Sequence, residues 1–541
     1  MPRCSSFSTA LSLVVIGFLD GASLLWATDY YLTLGGGYAP HGNQASLEAN
    51  VLFLEQVLVE HGVAKQWHTI LFADGDDPEP DLQYSVPENG ATGPATQVLQ
   101  RIFRPRSRSQ GAVAYRNHHI DPVAGKLHPR AVREQLAALR EAIREGDRLV
   151  IYVTAHGSRG SREQPLNTTI DCWSDRRIEA QELERWLRDL PSTCSVVMVM
   201  AQCYCGGFAY TMFRDLEPAN GLAQPLRVGF FAQRYDRPAA GCRPDIGNDQ
   251  EFSSFFWGAM VGRTRNGTVL PHADLNDDGR VSFAEAYAIA VVHADTIDVP
   301  LRTSDVFLRS FSFIPGYFVD WERTWRPDAM AEDVAGSSNE QDTNNEDRGR
   351  CHVGENREPF NMSGPLSALL QHTSTVNAQA IEGLCQRLGI DSQHATIESI
   401  LEAEANLRDR FEQQRAAAMR RGRGRSAWRI RRTLRQEILD RWPELADADT
   451  WPENPLLSEA DQPKLLSEIE NLPSWEEFHD LELRRDRERE ERVSSELQLV
   501  KFERLRFLIE SVVLERNFLQ TAQGEQMDWF QRIVALENST L

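Results

Sequence analysis

The sequence predicts an α/β sandwich with a mostly parallel sheet over residues 28–328, followed by a flexible linker and an all-α region. Short apolar runs alternate there with stretches of helical spacing; four of them are residues 69–72, 149–153, 196–200 and 228–232. Strands buried on both faces have unbroken apolar runs, and their alternation with helices favours parallel pairing.

The composition changes sharply after this first domain. Residues 331–358 are acidic, rich in Asn and Ser, and nearly free of large apolar side chains, so we place a flexible linker at 329–360. Residues 361–541 carry long helical patterns rich in Glu, Arg and Leu, with an apolar stripe at 499–513 suited to helix packing. We expect these helices to form a unit distinct from the first domain.

The N-terminus has the pattern of a secretory signal. Residues 11–19 form a short apolar core, and Ala27 offers a cleavage point, so residues 1–27 are predicted to be a signal peptide. No later segment reaches the roughly 18 apolar residues that cross a bilayer. We therefore expect a secreted or extracytoplasmic protein, without membrane association after signal removal.

Charge and cysteine content narrow the functional classes. With a net charge of -21, the chain as a whole is not expected to bind nucleic acid, because an acidic surface repels phosphate. Eight cysteines in 541 residues are too few for a disulfide framework. Cys4 would leave with the signal, so an odd number remains and one thiol has no partner within the chain. A reactive nucleophile would account for it.

Two of the apolar runs end in residues that suit nucleophilic catalysis. Residues 149–153 lead into His156-Gly157, and residues 196–200 lead into Cys203. Carboxyl ends of parallel strands share one edge, where an imidazole can take the proton of a thiol. The backbone N–H groups of Gly157 and Cys203 are predicted to stabilise the oxyanion. Cys205 is the rival nucleophile, although a structural role, paired with Cys242, suits it better.

The segments LVIYVTAHGS and VVMVMAQCYCGG resemble the caspase–legumain superfamily of cysteine endopeptidases. The similarity covers about residues 28–314 and is closest to the legumain-like branch, with matches at GGGY, at Asp74-Gly75 and at Asp147. It implies a caspase-like three-layer sandwich, a thioester intermediate and protein or peptide substrates. It also implies that the C-terminal helices cover the active site until they are removed.

This chain departs from the family pattern around the nucleophile. Ala201 occupies the position two before Cys203, where the family has a polar side chain, and Gln202 precedes the nucleophile directly. Substrate specificity is therefore not carried over. Predicted substrate-binding residues are Asp171, Gln202, Asp236 and Asp245, with Glu251 as a further candidate. An acidic pocket of this kind would select Arg or Lys in the substrate.

Residues 274–285 match the twelve-residue calcium loop at every ligand position. The predicted ligands are Asp274, Asn276, Asp278, the Arg280 carbonyl, Ser282 and Glu285. The alternative is an Asp- and Asn-rich turn that caps a helix. We expect a structural calcium ion and no organic cofactor. Two alternative functions stay open: a transpeptidase or transamidase of the same fold, and a catalytically silent scaffold that binds proteins.

Overall fold

The computed structural model describes residues 27–85, 93–103, 113–241, 251–318, 358–422 and 425–541, without the side chains of 418–422 and 425–426. Asp245 and Cys242 lie outside these ranges. So does the predicted signal peptide except for Ala27, and the predicted linker except for residues 358–360.

A six-stranded sheet forms the centre of the first domain. The strands of the described residues are β1 Asp29–Gly36, β2 His68–Phe72, β3 Leu82–Ser85, β4 Val113–Arg116, β5 Arg148–Ala155, β6 Thr169–Cys172, β7 Arg176–Glu179, β8 Ser195–Met200, β9 Leu226–Phe231 and β10 Leu301–Arg302. The sheet order is β10-β9-β8-β5-β1-β2, and β10 alone among these six is antiparallel to its neighbour. This confirms the mostly parallel sheet; β3–β4 and β6–β7 form two separate antiparallel two-stranded sheets.

Seven α-helices of the described residues accompany the strands of this domain. They are α1 Ala45–Glu60, α2 Pro94–Phe103, α3 Pro129–Ala142, α4 Ala180–Leu187, α5 Phe252–Val261, α6 Phe283–His293 and α7 Thr303–Phe311. Every residue of β5 after Arg148 is buried, although successive side chains of a strand point to opposite faces. Residues 149–153 are therefore all apolar because neither face of this strand meets solvent, as expected from the sequence.

The region after the linker is helical, as its sequence pattern predicts. Its helices are α8 Leu366–Leu370, α9 Thr375–Leu388, α10 Ile397–Gly422, α11 Arg425–Arg441, α12 Gln462–Glu470, α13 Trp475–Thr521 and α14 Glu525–Glu537. No helix of the described residues is long and apolar enough to cross a membrane.

These helices do not pack as the distinct unit that the composition change suggests. The apolar stripe of α13 belongs to the same hydrophobic core as the sheet, and Phe307 of α7 lies 5.6 Å from Phe518 and 5.9 Å from Phe530, measured between ring centroids. A second core joins α2 of the first domain to α11, α12 and the start of α13. An amphipathic stripe must be buried against some apolar face, and here that face belongs to the first domain.

Candidate active site

His156 and Cys203 follow neighbouring parallel strands at the same level. Val153 of β5 pairs with Met200 of β8, and Ala201 N–H donates to Val153 O at 2.9 Å. His156 and Cys203 are each the third residue after this rung. The structure therefore brings the two predicted catalytic residues to one edge of the sheet.

The backbones that carry the two residues lie against each other at Gly157. A Cβ atom on Gly157 would lie 2.3 Å from the carbonyl oxygen of Cys203 and 2.8 Å from that of Thr169. Real Cβ contacts are never this short, so only glycine fits here. Glycine at position 157 thus permits the close approach of the histidine loop to the cysteine loop.

The imidazole of His156 is oriented by the loop between β1 and α1. Its Nε2 lies 2.8 Å from Gly42 O and 2.8 Å from Gln44 Oε1, and its ring packs edge-to-face on Tyr38. A carbonyl oxygen can only accept a hydrogen bond, so Nε2 carries the hydrogen. The neutral ring then has its lone pair on Nδ1, which is the atom that can act as a base.

Gly42 and Gln44 were not predicted from the sequence to be site residues. A signal was available, because they follow β1, whose carboxyl end lies at the same edge as those of β5 and β8.

The sulfur of Cys203 lies against the backbone of Ala239, whose carbonyl oxygen is 3.7 Å away. Ala239 N–H donates to Cys203 Sγ at 3.2 Å, from the loop that follows β9. The next residue, Tyr204, has φ +61° and ψ +15°, a left-handed conformation unusual for a bulky residue. Strained backbone of this kind is often found at active sites.

Burial favours the neutral form of both candidate groups. Burial lowers the pKa of the His156 imidazole. Burial also raises the pKa of the Cys203 thiol; the Ala239 N–H opposes this, and the Asp298 and Asp171 carboxylates add to it. Among the described residues, no hydrogen bond joins the His156 ring to Cys203 Sγ, so the catalytic pair stays a prediction. Catalytic hydrogen bonds are often long before substrate binds.

Cys205 is placed very differently from Cys203. It is fully buried, and its sulfur contacts the backbone of Gln233, at 3.3 Å from the nitrogen and 3.4 Å from the oxygen. Burial raises the pKa of its thiol strongly. Its thiol is free in the structure, and its predicted partner Cys242 lies outside the described residues. Cys203, which is partly exposed, is the one of the two that a substrate can reach.

Asp171 lies beside the histidine loop. Its backbone N–H donates to His156 O at 2.9 Å, and its carboxylate accepts hydrogen bonds of 2.8 Å from Ser158 Oγ and Thr169 Oγ1. Arg177 lies 3.5 Å away from it. The structure therefore places Asp171 next to the site with its charge already partly satisfied.

The other predicted substrate residues that the structure describes have partners or are buried. Asp236 forms two hydrogen bonds of 3.1 Å with the Arg234 guanidinium. Glu251 is buried and pairs with Arg265 at 3.0 Å. Gln202 is completely buried, and its Oε1 has no hydrogen-bond partner among the described residues. The position of Gln202 beneath the surface does not suit direct contact with a substrate.

The predicted calcium loop closes on itself around Asp274. Its carboxylate accepts hydrogen bonds from Asp278 N–H at 3.0 Å and Gly279 N–H at 2.8 Å, and Gly279 has φ +85°. Glu285 faces the same interior, since its Oε1 accepts from Leu275 N–H at 2.8 Å and its Oε2 from Ser282 N–H at 2.8 Å.

The ligand types of this loop suit calcium, but their present arrangement is that of a capped helix. Ser282 and Glu285 form a capping box at the start of α6. In the part of the chain that the structure describes, no three His, Cys, Asp or Glu side chains are grouped to hold a metal. An ion would have to draw the Glu285 carboxylate away from these N–H groups.

No protein-family model and no curated protein matches this chain. One solved structure with similarity is the crystal structure of protein GSU0716 from Geobacter sulfurreducens, at 10% identity and a TM-score of 0.29. The match covers 51% of this chain and 92% of that protein. A similarity at this TM-score carries no structural or functional argument.

Proposed function

We propose that this chain is a cysteine endopeptidase of the caspase–legumain type, with His156 as the base and Cys203 as the nucleophile. The observation that carries the proposal is their position three residues beyond one rung of neighbouring parallel strands. The sequence resemblance at both motifs supports it independently. The orientation of His156 by Gly42 and Gln44 adds a base with its free nitrogen defined.

In the proposed mechanism the Cys203 proton moves to His156 Nδ1 as the sulfur attacks the scissile carbonyl carbon. Because burial favours the neutral form of both groups, we propose that this transfer accompanies substrate binding and attack. The C–N bond breaks, the leaving amine takes the proton from His156, and a thioester remains on Cys203. Water, deprotonated by His156, then hydrolyses the thioester. The Gly157 and Cys203 N–H groups are proposed to stabilise the oxyanion.

The test of this function is labelling with a panel of peptides that carry a thiol-reactive group and differ in the residue before the scissile bond. We expect at least one peptide to modify Cys203, and mass spectrometry locates the modified residue. A peptide of the same sequence with an ordinary amide bond in place of the reactive group should be hydrolysed. Labelling followed by transfer to an added amine would indicate the transpeptidase alternative. If no peptide labels Cys203 faster than a simple alkylating agent does, the protein is better regarded as a silent scaffold.

We further propose that residues 274–285 bind calcium when the Glu285 carboxylate turns toward Asp274. Extracellular calcium modules have dissociation constants of about 0.1–1 mM. At 10 mM calcium, binding to the folded state should then add about 1.4–2.7 kcal/mol to the free energy of unfolding. Thermal unfolding with and without calcium measures this. Asp278→Ala, at an exposed position, removes a ligand oxygen and should strongly reduce the response; an unchanged Tm in the wild type would contradict the site.

Export of the protein is proposed from residues 1–27 alone. The inhibitory role of the C-terminal helices also rests on the family resemblance alone, and the shared hydrophobic core makes their release by linker cleavage difficult.

A further inference from the structure

The segment 237–239 forms the immediate surroundings of the predicted nucleophile. Its Ala239 N–H is the donor to Cys203 Sγ at 3.2 Å, and its Arg237 carbonyl accepts from Tyr204 N–H at 3.0 Å. The first bond ends on the side chain of Cys203 and the second joins backbone to backbone, so both attach the segment to the Cys203 loop. Any movement of this segment therefore changes both the position of Cys203 and the hydrogen bond that its sulfur receives.

The side chain of Arg237 fastens this segment to helix α13. Its guanidinium donates to Glu503 with Nη1 at 2.7 Å from Oε2 and Nη2 at 3.3 Å from Oε1. The Glu503 side chain is 6% exposed, so water competes little for it. A two-bond pair between guanidinium and carboxylate fixes direction as well as distance.

Glu503 has a second partner that does not touch the segment. Arg408 of α10 donates to Glu503 Oε1 at 3.0 Å. Burial alone would raise the pKa of Glu503, but Arg237, Arg408 and the nearby charge of Arg506 outweigh it and hold the pKa below its usual value. Glu503 is therefore ionised at neutral pH, and its two guanidinium partners can be removed separately.

Arg504, the residue after Glu503 in α13, binds the other side of the same loop. Arg504 is fully buried and donates to Asp298 O at 2.7 Å and to Thr296 O at 3.0 Å. The Asp298 carboxylate in turn accepts from Ala240 N–H at 2.7 Å. Two consecutive residues of one helix thus hold the loop beside Cys203 at two points.

We propose that Glu503 is a positioning residue, which acts through Arg237 to hold Ala239 N–H against the sulfur of Cys203. The C-terminal region is then a supporting part of the active site. This goes against the inhibitory role that the family resemblance suggests. The inference rests on the proposed function for its effect on peptide hydrolysis, whereas its effect on the reactivity of the Cys203 thiol does not depend on that function.

The test compares Glu503→Gln with Arg408→Gln in the full chain. The rate of Cys203 alkylation by iodoacetamide is measured against pH, with mass spectrometry to separate Cys203 from the other thiols. Ala239 N–H lowers the pKa of the Cys203 thiol, so its loss should raise that pKa. We expect alkylation of Glu503→Gln at pH 7 to slow about fivefold, the effect of one hydrogen bond. Arg408→Gln should stay within about twofold of the wild type.

Arg237→Gln provides the coupling test. It should slow alkylation as much as Glu503→Gln does, and the double variant should be no slower than either single variant, because both remove the same interaction. The proposal is overturned if Glu503→Gln alkylates at the wild-type rate, or if Arg408→Gln shifts the thiol pKa equally, which would indicate general loosening. A wild type that hydrolyses no peptide would refute the proposed function and leave this comparison intact.

Discussion

Replacing Cys203 by alanine should abolish hydrolysis of every peptide that the wild-type protein cleaves, and His156→Ala should lower kcat at least about 1000-fold. Removing either member of a nucleophile–base pair costs nearly as much as removing both. The double variant should therefore be no worse than Cys203→Ala. Hydrolysis of one fluorogenic peptide, corrected for folded protein by circular dichroism, measures all three variants.

Cys205→Ala is the matched control for this experiment. Cys205 is buried against the Gln233 backbone, so its removal leaves a small cavity and should lower stability without removing the reactive thiol. We expect Cys205→Ala to keep kcat within about threefold of the wild type, since no reacting group is lost. If Cys203→Ala keeps its activity and Cys205→Ala loses it, the nucleophile is Cys205 and not Cys203.

Gly157→Ala should lower kcat/KM about 100-fold or more. A methyl group at this position would meet Cys203 O at 2.3 Å, so the histidine loop must move away from the cysteine loop by about 1 Å. A displacement of this size between reacting groups can cost about two orders of magnitude in rate. The same peptide assay measures the loss, and thermal unfolding shows how much of the protein remains folded.

Gly62→Ala is a suitable comparison for that variant. Gly62 has φ +76°, and a Cβ atom at this position would meet no other described atom within 4 Å, so alanine there adds backbone strain and no collision. We expect Gly62→Ala to lower Tm while kcat/KM stays unchanged. Full activity in Gly157→Ala would mean that the two loops need not approach each other, which would contradict the proposed pairing of His156 with Cys203.

The sheet and the position of the candidate site could be predicted because the same sequence feature determines both. A strand buried on two faces needs an unbroken apolar run, and the first polar residues after the run necessarily lie at the edge of the sheet. His156 and Cys203 follow two such runs, and those runs proved to be adjacent strands.

Features that depend on long-range packing could not be predicted in this way. The apolar stripe of α13 shows that the helix must be buried, but a stripe carries no information about which surface covers it. In the same way, the position of Gln202 next to Cys203 in the sequence suggested contact with substrate, whereas the fold buries this side chain completely. The hydrogen bonds from Arg237 and Asp298 to α13 join residues more than 200 positions apart, a separation at which the sequence pattern gives no information on contacts.

The packing of the last residues of the chain has a consequence for how the protein is made. Arg148, the first residue of β5, donates to Ser539 Oγ at 2.8 Å and to Thr540 O at 2.7 Å, and Phe283 N–H donates to Ser539 O at 3.0 Å. Domains generally fold during synthesis from the N-terminal end. Here the strand that leads to His156 reaches its final contacts only after nearly 400 further residues have left the ribosome. Until then, the apolar surface that α13 and α14 will cover stays exposed on the growing chain.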